Sequence, residues 1–213
     1  MNAAEYTGDY RCALVDPARP EAAIELIARA FSRDEPLAVT AGQSHEELTA
    51  MLGLFLPAAV HDGLTMGVYD DRRLVGAALT TAFTFSPPPE AEGASPGYPP
   101  IGALIETLER DFERANAARL AGCAHIHMLA VDNAARGRGI AQRLVDATAR
   151  NAQAKGFSAI VADATNPTSQ HVFANQGFET RNEIRYDSFV HDGTRRFAAI
   201  ANLGAIKLME KRL

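Results

Sequence analysis

Between His125 and Leu144 the chain changes its hydrophobic period. Ala124–Val131 alternates as a strand, and Gly139–Lys155 reads as an amphipathic helix with Ile140, Leu144, Ala147 and Ala152 on its inner stripe and Gly156 as its stop. The turn between them carries Arg136-Gly137-Arg138-Gly139 and runs directly into the helix. A further strand, Phe157–Ala164, follows. A strand–helix–strand unit of this kind belongs in an α/β or α+β domain, and the remaining elements fit around it.

Those elements begin with a strand at Tyr10–Asp16 and a helix opened by Pro20, with Ile24, Ile27, Ala28 and Phe31 on one stripe. Ser44 and Glu47 form a capping box for a second helix reaching about Ala59. Between the two helices Pro36 disfavours the helical conformation at Glu35, so that carboxylate sits on an extended connector. Gly63–Asp70 and Arg73–Phe83 read as a hairpin around Asp71–Arg72. Ser86–Pro100 holds six prolines and reads as a lid or a mobile surface segment. Ile101–Ala121 is a helix and Thr168–Asn175 a short one, while Phe178–Phe189 and Ala198–Leu213 are strands flanking the Asp192-Gly193 turn. One domain over residues 1–213 is the expectation for a chain of this length.

Composition removes several classes of function. A net charge of -5 with no long Lys/Arg run argues against nucleic acid and acidic membranes as partners. No window approaches 18 apolar residues, and the first residues have neither a basic start nor an apolar run, so neither a membrane span nor a signal peptide is expected. With only Cys12 and Cys123, and no Cys/His metal spacing, the expectation is a reduced, cytoplasmic chain without a metal.

The glycine-rich turn is where chemistry is expected. Glycine lets the backbone approach a ligand closely, and the first amides of a helix lack internal partners and carry partial positive charge. Such a loop suits a pyrophosphate, and Arg136 and Arg138 can add charge-assisted bonds. It is not a dinucleotide fingerprint, because Gln142 stands where the third glycine is required, nor a P-loop, which needs G-K-[ST].

The R-x-x-G-x-A pattern of Arg136, Gly139 and Ala141 resembles motif A of the GNAT superfamily of acyl-CoA-dependent N-acetyltransferases. About thirty residues on, Asn166-Pro167-Thr168-Ser169, Phe173 and Gln176-Gly177-Phe178 resemble its motif B, N-x-x-S followed by Y-x-x-x-G-F, with Phe173 in the tyrosine position. The likeness spans roughly Glu5 to the C-terminus. It implies the GNAT fold: a mixed, mostly antiparallel sheet splayed between the strands ending near Val131 and Ala164, with helices on both faces. It implies acetyl-CoA as donor, its pantetheine arm pairing with Leu129, Ala130 and Val131. The diphosphate would lie on Arg136, Gly137, Arg138, Gly139, Ile140 and Ala141, and Asn166, Ser169 and Phe173 would flank the arm.

Two arylalkylamine branches of the superfamily are echoed. Asp34-Glu35-Pro36-Leu37 resembles the D-E-P-L signature of the insect enzymes, which implies Glu35 as catalytic base, with Ser169 matching one motif-B serine and Asn166 replacing the other. Asn202–Met209 resembles that branch's last strand. His125 and His127 resemble the histidine pair of the vertebrate serotonin enzymes, which implies a proton relay.

An amine acceptor arrives protonated, because alkylammonium groups titrate near lysine, at about 10.4, so a base is required. An amide near Leu129 or Ala130 is the expected donor to the developing oxyanion. Phe173 lacks the hydroxyl that many members use on the departing thiolate, leaving that role to Ser169, to water or to no acid. The expected reaction is direct attack by a small primary amine, an arylalkylamine first, in a monomer or homodimer. The alternatives are a peptide, protein or antibiotic amine as acceptor, or a non-catalytic acyl-CoA sensor.

Overall fold

The computed structural model describes residues 10–213; residues 1–9, on which the expectation of no signal peptide rests, lie outside the described residues. The strands are β1 (Tyr10–Leu14), β2 (Met66–Asp70), β3 (Arg73–Ala82), β4 (Cys123–Val131), β5 (Ala159–Ala164), β6 (Glu179–Arg185) and β7 (Ala205–Arg212). The helices are α1 (Glu21–Asp34), α2 (Pro36–Thr40), α3 (His45–Val60), α4 (Pro89–Gly93), α5 (Pro99–Asn116), α6 (Ile140–Ala154) and α7 (Pro167–Asn175). The strands form one sheet in the order β1-β2-β3-β4-β5-β7-β6. Among the described residues, only the β4–β5 pair is parallel. This is the mixed α/β architecture expected from the sequence.

Helices cover both faces. On one, α6 and α7 bring Ile140, Leu144, Val145 and Phe173 against Ile126 of β4 and Ile160 of β5. On the other, α1 and α3 pack Ile27, Leu52 and Leu56 against Ala77, Leu79 and Ala130. α5 continues that second layer with Leu104, Leu108 and Phe112 against Val161 and Leu208. β3 is buried along nearly its whole length, as a central strand covered on both sides must be, whereas β6, with the sequence ETRNEIR, is a charged edge. Gly76 of β3 lets α6 sit close to the sheet: a Cβ there would lie 2.8 Å from Ile140 Cγ2 and 2.9 Å from Leu144 Cδ1.

Several local expectations are corrected. Glu35 is extended, at φ -81 and ψ 121, but it also caps α2, a five-residue helix too short to show a period. The helix expected over Ile101–Ala121 begins at Pro99, ends at Asn116 and tightens to a 3-10 turn over Ala117–Gly122. There the Asn116 amide donates to the Phe112 carbonyl at 2.7 Å, supplying a bond the helix would otherwise need. Ala198–Leu203 is a 3-10 turn rather than strand, and Gly204, at φ +86, delays β7 to Ala205. The Asp192-Gly193 turn closes only the His191–Thr194 bridge and not a strand hairpin.

The proline-rich segment packs onto the domain. α4 buries Ala91 in the α1–α3 layer, and Ser95, also buried, accepts from Gln43 Nε2 at 2.7 Å. Both cysteines are free. No helix among the described residues is long and apolar enough to cross a membrane.

Candidate active site

β4 and β5 pair over only four rungs, Cys123–Ile126 against Ala159–Ala162. Beyond Ile126 the two strands separate. On its other edge β4 stays on β3, but the register shifts: Ile126 faces Thr80 and Met128 faces Leu79, so His127 is the extra residue of a β-bulge. A bulge bends its strand and re-aims the bulged side chain. This one lies where β4 parts from β5. The gap opens into a cavity of about 920 Å3, bounded by the α1–α2 elbow, the free edge of β4, the start of α6, the end of β5 and the start of α7.

The α6 side of the cavity is built from backbone. Gly137 and Gly139 both have positive φ, +75 and +70, which turns the chain back so that the helix begins at Ile140 with no side-chain cap. Arg143 is the first residue of α6 whose amide reaches a helical carbonyl, that of Gly139, at 3.1 Å. The amides of Ile140, Ala141 and Gln142 precede it and point out of the helix end. Asp132 anchors the turn by accepting from the Ala134 amide at 2.9 Å and from Arg73 and Arg29 at 2.9 and 3.1 Å. The Ala134 amide first, and then Arg73 and Arg29, hold its carboxyl below the usual range. Arg136 reaches across the cleft to Asp34 at 2.6 Å, and Arg138 donates to the Tyr10 hydroxyl at 2.7 Å.

The opposite side is built from side chains. Glu35 Oε2 accepts from the Ala38 amide at 2.7 Å, while its Oε1 is buried without a hydrogen bond. Burial pushes the carboxyl's pKa up against the Ala38 amide, the neighbouring Thr165 hydroxyl and the Leu37 amide. His127 Nε2 lies 2.8 Å from Thr81 Oγ1, and that hydroxyl also lies 2.8 Å from the Ala82 carbonyl, which can only accept. With its one hydrogen given to Ala82, Thr81 accepts from His127 Nε2–H, leaving Nδ1 as the basic nitrogen. Burial, and then the neighbouring His125, hold the His127 pKa well below the ordinary value, so the ring is neutral.

His125 stands beside it, with ring centroids 4.1 Å apart, but does not line the cavity. Its Nε2 is 3.0 Å from Asp163 Oδ2 and its Nδ1 3.6 Å from Glu109 Oε1. Burial opposes the charged ring, but Asp163 and then Glu109 outweigh it and raise the pKa.

The cavity thus gathers Glu35, His127, Leu129, Ala130, Val131, Arg136, Gly137, Gly139, Ile140, Ala141, Asn166, Ser169 and Phe173, and leaves out His125 and Arg138. Ser169 and Asn166 form a reciprocal cap at the start of α7, and the Ser169 hydroxyl donates to the Asn166 carbonyl at 2.9 Å rather than into the cavity. Neither the 84–100 segment nor the 188–197 segment lines it. Asp163, Thr165 and Asp34 do, and sequence reasoning assigned them no role here. An acid inside the apolar run Ala159–Ala164 was the available signal for Asp163.

The model of the acetyltransferase (GNAT) family matches residues 24–178. The chain belongs to that family. As a GNAT N-acetyltransferase it shares its fold with solved structures of low sequence identity. The C-terminal condensation domain of Ebony, in complex with beta-alanyl-dopamine, superposes with a TM-score of 0.88 at 18% identity, covering 96% of this chain and 99% of that one. Arylalkylamine N-acetyltransferase 2 from Aedes aegypti gives 0.77 at 22% identity, with the same coverage of both chains. The Drosophila melanogaster polyamine N-acetyltransferase that forms N-acetylagmatine gives 0.69 at 17%, covering 96% and 100%.

Proposed function

We propose that this GNAT enzyme moves the acetyl group of acetyl-CoA to the primary amine of a small arylalkylamine, by direct attack, with Glu35 as the base. The observation that carries the reading is the Glu35 Oε1 atom, buried and unpartnered in the same cleft as the uncapped amides of α6. The residues fit the coenzyme. Donors at the head of α6 suit a diphosphate, with Arg136 beside them, and the edge of β4 from Leu129 to Val131 that β5 leaves unpaired suits the amide groups of the arm. When bound, acetyl-CoA supplies an activated acyl thioester.

This chain's part is then to bind, orient and deprotonate. Glu35, with its pKa raised by burial, takes the proton of the incoming ammonium more readily than an ordinary carboxylate would. The neutral His127, with Nδ1 basic, is the second acceptor within the cleft. Phe173 offers no proton, and the Ser169 hydroxyl is committed to Asn166, so the thiolate leaves without an acid from motif B. An arylalkylamine is favoured as acceptor by the apolar residues Phe31, Ile126 and Leu203 in the lining of the same cavity. It also accords with the relatives: one acetylates arylalkylamines, and another is bound to an amide of dopamine, itself an arylalkylamine.

A free-thiol release assay over a panel of amines tests the reading. Aromatic ethylamines should release thiol. Glu35→Gln should slow release by about a hundredfold or more while leaving acetyl-CoA affinity unchanged. Tight coenzyme binding with no thiol released from any amine would refute the reading and favour the sensor alternative.

A further inference from the structure

We infer that Thr81 is a positioning residue for the acetyl transfer: its hydroxyl holds the His127 ring with Nε2–H on β3 and the Nδ1 lone pair free for the acceptor amine. This deepens the transferase reading above and rests on it for the part played in turnover.

The sheet creates the need for such a contact. Along β3 and β4, Thr81 stands opposite His125 and Thr80 opposite Ile126, after which the register slips and His127 has no residue across from it. The ladder does not hold a bulged residue, so its side chain must be fixed by other means. Nε2 of the ring meets Thr81 Oγ1 at 2.8 Å. Thr81 is fully buried in the central strand β3, and its β-branched side chain has little rotamer freedom of its own. Two rings complete the seat. Phe55 of α3 meets His127 edge-on, with centroids 5.3 Å apart and planes at 74°, and His125 lies at 4.1 Å with planes at 39°. Phe55 is itself stacked on Phe85 at 5.5 Å.

The hydroxyl decides where the ring carries its hydrogen. The Ala82 carbonyl, 2.8 Å from Thr81 Oγ1, can only accept, so it takes the single hydroxyl hydrogen. Only lone pairs remain to face His127, and Nε2 must be the donor. The other tautomer would set the Nε2 and Oγ1 lone pairs against each other or strip Ala82 of its donor. Burial, and then His125, keep the ring uncharged.

Nδ1 is the nitrogen left over. It makes no hydrogen bond among the described residues, yet it is not buried as Glu35 Oε1 is, so it opens on the cavity that His127 lines. An amine enters with hydrogens to give. A ring that accepts one orients the nitrogen, and a ring that presented N–H there would oppose it. The ring forms no covalent bond, and the proton of the ammonium goes to Glu35.

Histidine 15N spectra of the whole protein read the tautomer directly, with His127→Gln assigning the signal. The hydrogen should be on Nε2, with Nδ1 bare. Thr81→Val keeps the shape and the β-branch but removes the hydroxyl. It should lose the single tautomer and lower kcat for 2-phenylethylamine about tenfold in the thiol-release assay, with KM for acetyl-CoA unchanged. Thr81→Ser should restore most of both. A wild-type ring with its hydrogen on Nδ1, a Val variant that keeps tautomer and kcat, or a Ser variant no better than Val overturns the proposal. The wild-type spectrum decides even if a variant fails to fold. Thiol release by a protein whose ring carries Nδ1–H would sink this inference and leave the transferase reading standing; an Nε2–H ring with no thiol released from any amine would do the reverse.

Discussion

The two sides of the cleft solve different problems with different materials. The α6 side is backbone: two glycines at positive φ, a turn held by Asp132, and helix amides left open. The opposite side is side chains drawn from three places in the sequence, with Glu35, His127, Asp163 and Thr165 lining one cavity. In the proposed reading, backbone donors recognise what every acyl-CoA shares. Side chains discriminate between amines, and they alone carry titratable groups. Changes on one side should therefore leave the other side's measurement almost untouched.

The largest expected separation is the one already set for Glu35→Gln, a loss of turnover with coenzyme affinity intact; a parallel loss of coenzyme affinity would break the comparison. The complementary change is Gly139→Val. A β-branched residue at φ +70 strains the head of α6. A cost of roughly 1–3 kcal/mol there should raise the coenzyme Kd about tenfold or more, with 2-phenylethylamine binding unchanged, both measured by calorimetry.

A third change touches the seating of α6 rather than its amides. Gly76→Val would drive new methyl groups toward Ile140 and Leu144, whose atoms already stand 2.8 and 2.9 Å from a Cβ built there. A loss of about 1–3 kcal/mol in a urea denaturation series is expected. No loss would show that α6 can shift without consequence.

The smallest expected effect is in pH dependence. Glu109 has a folded pKa of about 8 against an ordinary 4.5, so its contribution to stability is fully present below the ordinary value and is lost as pH rises through about 8. Glu109→Gln should flatten the fall in Tm across that window, seen by scanning calorimetry from pH 4 to 9. An unchanged profile would mean that Glu109 does not hold a proton in the folded state.

The same division explains what could be read from sequence. The turn from Arg136 to Ala141 is legible because a local constraint, glycine before a helix, specifies a local geometry: positive φ at Gly137 and Gly139 and an uncapped start to α6. The element order was legible from periodicity. The Asp163–His125–Glu109 cluster was not, because its members lie on β5, β4 and α5 and meet only through sheet register and helix docking. His127 was visible as a candidate, but not the bulge that isolates it, since a bulge is a property of two strands. α2 and the 3-10 turn at Ala198–Leu203 were missed because five or six residues are too few to display a period.

A sheet that stops pairing after four rungs keeps, inside the protein, what a fold normally hides or leaves at its rim: a row of main-chain donors and acceptors awaiting a neighbour. Any chain-like molecule bearing amides of its own can supply the absent rungs. Such a guest would splice the halves of the sheet together as well as deliver a reactive group, so heat resistance should climb with the logarithm of its concentration. Abundance of coenzyme would then govern how long the catalyst survives as well as how fast it works.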